Sequence, residues 1–155
     1  MLIRSRAIMD LAKEAIERAS QVNPQDRPFL ESAFTNYISA VAYAEIESRV
    51  ASLLDARFAQ CADQKVGTFV SNVFVKKQGR LKKSDMADVA QMFGDQCKVV
   101  FNAAIDNAQA SHYSNLLECR HKLSHGEPAS ETLLTVENGI AAAEVMLQAL
   151  SASVQ

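Results

Sequence analysis

"FLESAFTNYISAVAYAEIESRVASLLDARFA", Phe29 to Ala59, contains neither glycine nor proline, and its apolar residues recur with helical spacing rather than alternating. The stretch predicts one long central helix, preceded by the turn-forming "NPQDRP". Ala40, Tyr43, Ala44, Glu47, Ala51, Leu54 and Phe58 share one face of it, and Ile38, Val41, Ala42, Glu45, Arg49 and Ser52 share another. Glu45 has Arg49 four residues on, the favourable order for a surface ion pair. Glu47 interrupts an apolar row and has no such local partner.

On the N-terminal side, Ile8, Leu11, Ala12, Ala15, Ile16 and Ala19 give a first amphipathic helix ending near Gln21. On the C-terminal side the pattern weakens. "TFVSNVFV" fits a short strand or a helical turn, and "KKQGRLKKSD" is a basic connector carrying Lys76, Lys77, Arg80, Lys82 and Lys83. Ser84 and Asp85 mark a helix start for "MADVAQMF", Gly94-Asp95 punctuates, and "CKVVFNAAI" continues helically. From about Ser111 a further helix aligns Tyr113, Leu116, Leu117, Arg120 and Leu123. The last helix, with Thr135 as its expected cap, buries Val136, Ile140, Ala143, Leu147 and Leu150. With no hairpin dipeptide and no internal repeat, the expectation is all-α: a helical bundle of about four to six helices forming a single domain over residues 1–155.

The bulk composition excludes more than it selects. The chain is long enough to bury a core without disulfides or metals. A net charge of −2 means that any nucleic acid would be held by a local patch rather than a global field. Cys61, Cys97 and Cys119 are odd in number and far apart, the usage of a reducing cytoplasm, and read as core thiols. No window reaches the ~18 uninterrupted apolar residues of a membrane span, so neither export nor membrane insertion is expected.

Chemistry concentrates in "LLECRHKLSHGEP", Leu116 to Pro128. Gly126 and Pro128 end the helix, and basic residues in its last turn complement the helix dipole by ~0.3 to 1 kcal/mol each, which accounts for Lys122 and either histidine. Arg120 is different, because it falls on the side of Leu116 and Leu123. A buried guanidinium needs a carboxylate, and Glu47 on its apolar row predicts an Arg120–Glu47 pair between two core helices. Such a pair is structural or functional. In the functional reading Arg120 binds a phosphate and His125 moves a proton; with RNA as substrate the adjacent 2′-hydroxyl is the nucleophile, so no metal or cofactor is required. His121 and His125 have a spacing that also suits zinc, but two ligands are not four. His121 is read as orienting substrate or Arg120, or as a solvated helix end, and His112 as structural.

"RHKLSH" resembles the signature of the HEPN superfamily of small helical proteins, many of them ribonucleases of toxin–antitoxin and antiviral systems: Arg120, a polar residue at His121, then His125 with Gly126 following. "YISAVAYAEIESRVASLL" is similar to the family's aromatic and apolar stretch ending in a buried acid, which corresponds to Glu47. The resemblance implies a HEPN-like fold and a two-fold homodimer whose motif helices form one composite cleft. It also implies a metal-independent endoribonuclease with Arg120, His125, His121 and Glu47 at the site. Lys122, with Lys76, Lys77, Arg80, Lys82 and Lys83 of the connector, would hold further phosphates, although a charge run is also simply a solvated loop. The expected partners are RNA, a second copy and a possible antitoxin protein, in the cytoplasm and without a membrane. A different class also fits: a non-catalytic helical module binding a protein such as a nucleotidyltransferase-like antitoxin, with the Arg-His pair structural.

Overall fold

A computed structural model describes residues 1–75, 81–125 and 131–155, and every regular element in them is helical. The α-helices are α1 (Ile3–Val22), α2 (Arg27–Phe58), α3 (Gln64–Val75), α4 (Lys83–Met92), α5 (Asp95–Ala103), α6 (Asn107–Ser124) and α7 (Leu133–Val154), with a 3-10 turn over Pro24–Asp26. The all-α expectation holds, but the described residues contain seven α-helices rather than four to six. The difference lies between residues 62 and 106, where α4 and α5 are the two expected helical pieces as separate helices and α3 adds a further one. "TFVSNVFV" is the body of α3, not a strand.

Local signals explain most boundaries, and three differ from expectation. The α4 cap is Lys82 rather than Ser84: its backbone N–H donates to the Asp85 carboxylate at 3.0 Å, the returning half of a capping box. The α7 cap is one turn ahead of Thr135, where the Thr132 hydroxyl accepts from the Thr135 N–H at 3.2 Å. α6 begins at Asn107, a turn before Ser111. Gly94 has φ +139°, a backbone region that side-chain-bearing residues avoid, and so permits the sharp turn from α4 into α5.

The chain forms two compact units, Met1–Glu45 with Asn107–Glu144, and Ile46–Asp106 with Val145–Gln155. In the first, α1 buries Leu2, Met9, Ala12 and Ile16, α6 buries Tyr113, Leu116 and Cys119, and α7 buries Val136 and Ile140. The buried row of α2 in this unit is Thr35, Ile38, Ser39 and Ala42, while Ala40 and Ala44 are exposed. In the second unit the core is Ile46, Leu54, Met86, Ala90, Phe101, Met146 and Leu150, with Phe58 and Phe93 stacked at 5.9 Å between ring centroids.

The N-terminus of α1 carries no cap of its own. Its free N–H groups are met from other helices. Glu45 of α2 accepts from the Arg4 N–H (3.1 Å), the Ser5 N–H (2.9 Å) and the Ser5 hydroxyl (2.7 Å). Glu144 of α7 accepts from the Leu2 N–H (2.7 Å) and from the Arg6 guanidinium through Nε (3.0 Å) and Nη2 (2.5 Å). Glu45 is therefore not simply the partner of Arg49. Anions at a helix N-terminus are favoured by both the orphan donors and the dipole.

α7 has the length and composition of a membrane-crossing helix, but half of its apolar window is buried within the protein (50%), and Glu144 inside it binds α1. α7 also meets α6 closely at Gly139, where a Cβ would lie 2.6 Å from the Leu116 Cβ and 3.1 Å from the His112 carbonyl oxygen. Of the cysteines, Cys119 is buried, Cys97 half-buried and Cys61 exposed, so only the first is a core thiol in the full sense.

Two outcomes follow from these contacts. Gly139→Ala forces the α6–α7 crossing apart and lowers stability by about 1–3 kcal/mol in denaturant titration. The Arg6 hydrogen bond holds the Glu144 carboxyl below its ordinary value of 4.5, so its contribution is present above that value and lost as pH falls through the lower, folded one. Because the Arg6 side chain is 41% exposed, screening limits that contribution to about 1 kcal/mol. Glu144→Gln should lower the melting temperature at neutral pH and remove that part of the acid dependence.

Candidate functional site at the end of the sixth helix

α6 brings Arg120, His121, Lys122 and His125 to one helix end because the helix closes at Ser124, where the His125 N–H bonds the Lys122 carbonyl (3.0 Å) and the Ser124 hydroxyl bonds the His121 carbonyl (2.7 Å). These bonds satisfy the His121 and Lys122 carbonyls without a left-handed residue at His125. His121 and His125 are both exposed, and their rings meet edge to face with centroids 4.6 Å apart and planes at 67°. Among the described residues no three His, Cys, Asp or Glu side chains converge as a metal site would require.

Arg120 is half-buried, as its place beside Leu116 implies. Its guanidinium carbon lies over the Tyr43 ring, 4.4 Å from the centroid, a cation–π geometry. Among the described residues neither Arg120 nor Glu47 takes part in an ion pair. The aromatic face thus stands where a carboxylate was expected. Tyr43 precedes Glu47 by four residues on the same α2 row, so the row was right and the residue on it was not. Glu47 is half-buried beside the core residue Ile46.

Lys122 lies 3.3 Å from Glu118 and 3.7 Å from Glu131, and the Glu118 carboxylate raises its pKa above the ordinary lysine value. Behind the helix end, the Ser39 hydroxyl bonds the Thr35 carbonyl (2.7 Å) and contacts the buried Cys119 sulfur at 3.1 Å, while burial pushes the thiol pKa up. Cys119 is therefore a neutral core group rather than a nucleophile. His112 is half-buried, and its carbonyl borders the Gly139 crossing.

The remaining expected residues lie elsewhere. Lys82 is exposed and caps α4, and Lys83 opens that helix half-buried; Lys76, Lys77 and Arg80, like Gly126 and Pro128, fall outside the described residues. Tyr43 was missed as a functional candidate, although its position with Ala40 and Ala44 on an apolar helix row was visible. No family model, curated protein or solved structure matches the chain.

Substitution separates the two α2 candidates. Tyr43→Ala, which removes both packing and the cation–π contact, should cost about 1–2 kcal/mol in thermal or urea unfolding. Glu47→Gln should stay within about 0.5 kcal/mol of wild type.

Proposed function

We propose that the protein is a metal-independent endoribonuclease of the HEPN type, acting in toxin–antitoxin or antiviral defence. The observation that supports this most directly is the pair of exposed imidazoles 4.6 Å apart at the end of α6, next in sequence to a guanidinium. In this reading His125 takes the proton of the RNA 2′-hydroxyl as its oxygen attacks the adjacent phosphorus. The bond from phosphorus to the 5′-oxygen breaks, and an imidazolium, His121 or a histidine of a second copy, returns a proton to that oxygen. The products are a 2′,3′-cyclic phosphate and a 5′-hydroxyl, with no water consumed. Arg120, backed by Tyr43, faces the non-bridging oxygens and offsets their charge in the pentacoordinate state. A homodimer in the cytoplasm, with the motif helix of each copy contributing to one cleft, completes the proposal.

A second reading has its own support. Lys122 is already paired with Glu118 and Glu131, and Arg120 is packed on Tyr43, as they would be in a non-catalytic module binding an antitoxin-like protein.

Incubation of wild type, Arg120→Ala and His125→Ala with RNA in EDTA decides between them. Cleavage by wild type alone, leaving cyclic-phosphate ends, is the expected result, with rates reduced at least ~100-fold in either variant. Equal cleavage by all three, or loss of wild-type activity on chelation, sinks the mechanism. Absence of cleavage together with a large loss of stability in His125→Ala favours the binding module.

A further inference from the structure

His121 and His125 are four residues apart, so the helix itself sets both imidazoles on one side, as it does for the paired histidine ligands of helical zinc motifs. His125 lies just past the end of α6, yet its N–H bond to the Lys122 carbonyl (3.0 Å) holds its backbone to the last turn. Both side chains are exposed, and their ring centroids are 4.6 Å apart. A metal bonded at about 2.0–2.1 Å to one nitrogen of each ring would lie about 3.2 Å from each centroid, which spaces the centroids by about 4.5 Å at a right angle and about 5.2 Å at the tetrahedral angle. The rings already stand at the spacing of a chelate. They meet edge to face, so bringing one nitrogen of each to a common point requires rotation about side-chain torsions, which exposure leaves open.

The surroundings define the kind of site. His112, nine residues before His121, projects from the opposite side of α6, Cys119 is buried, and among the described residues no third ligand converges with the pair. A resident structural ion, which needs four protein ligands, does not fit; an exchangeable one with water in its remaining positions does. The neighbouring cation is offset, because Lys122 lies 3.3 Å from Glu118 and 3.7 Å from Glu131. Imidazole pairs select late first-row ions such as nickel, copper and zinc over magnesium and calcium, which prefer oxygen ligands. We propose that His121 and His125 form a reversible, two-point binding site for a divalent ion of this late first-row class. The bound ion occupies the lone pairs through which the imidazoles exchange protons, and so switches the proposed cleavage off. This switch, unlike the site itself, rests on the ribonuclease reading.

Calorimetric titration of the whole chain, without a histidine tag, with zinc chloride tests the site by itself. Binding of about one ion per chain is expected, weakened at least about tenfold in His121→Ala and in His125→Ala alike, because either variant loses one of two linked anchors. His112→Ala and Cys61→Ser should bind as wild type does, and excess magnesium should not displace the zinc. No binding by wild type, weakening in only one of the two α6-end variants, or loss of binding in Cys61→Ser overturns the site. The switch is read on RNA: zinc at about ten times its dissociation constant should slow cleavage about tenfold by mass action, and EDTA should restore the rate. Undiminished cleavage by zinc-filled protein overturns the switch. If wild type cuts no RNA even in EDTA, the ribonuclease reading fails and the switch with it, while the calorimetry still decides the site.

Discussion

The first helix begins with a debt of unsatisfied N–H groups, and two carboxylates from elsewhere in the chain settle it. Glu45 and Glu144 approach the same helix end from α2 and α7, so the register of α1 against both is set by hydrogen bonds and not by apolar contact alone. Burial of Leu2 and Ser5, both 0% exposed, depends on these acceptors: an unpaired N–H there would cost about 1–3 kcal/mol. Lys13 on Glu137 at 2.6 Å adds a second, more exposed tie between α1 and α7. With α1 held this way, Met9, Ala12 and Ile16 complete the core of the first unit.

Much of the architecture was legible because its helices lack internal breakers. α2 is read within two residues at each end from the absence of glycine and proline, and α1 and α7 follow from their apolar rows. What escaped has a common cause. Thr35, Ser39 and Ala42 form the buried row of α2, yet Thr and Ser carry little hydrophobic signal, so the more apolar row through Tyr43 and Ala44 looked like the inside. Glu45 four residues before Arg49 satisfies the local rule for an ion pair, but a helix N-terminus distant in sequence offers three donors instead of one. α3 was ambiguous because its valines and phenylalanines suit either period, and the row of Val66, Phe69 and Val73 is exposed rather than a core face.

The helix end carrying Arg120, His121 and His125 was visible in its residues and in its stop. The reading of Arg120 as inward-facing rests on its spacing from Leu116 and Leu123, and its half-burial agrees with that. Choosing Glu47 as its partner followed the rule that buried charge seeks charge, which omits the quadrupole of an aromatic ring. Contact with a tyrosine ring does not pair the guanidinium with an anion, as a bidentate carboxylate would have done.

The Gly139 crossing has a mechanical consequence. Leu116 is the fulcrum where α6 bears on α7, and Ser124 lies eight residues further along, about 12 Å at the rise of an α-helix. A tilt of about 5° at that fulcrum moves the tip by about 1 Å, enough to change the geometry of the side chains mounted there. The smallest residue in α7 thus sets the aim of two histidines that it never touches.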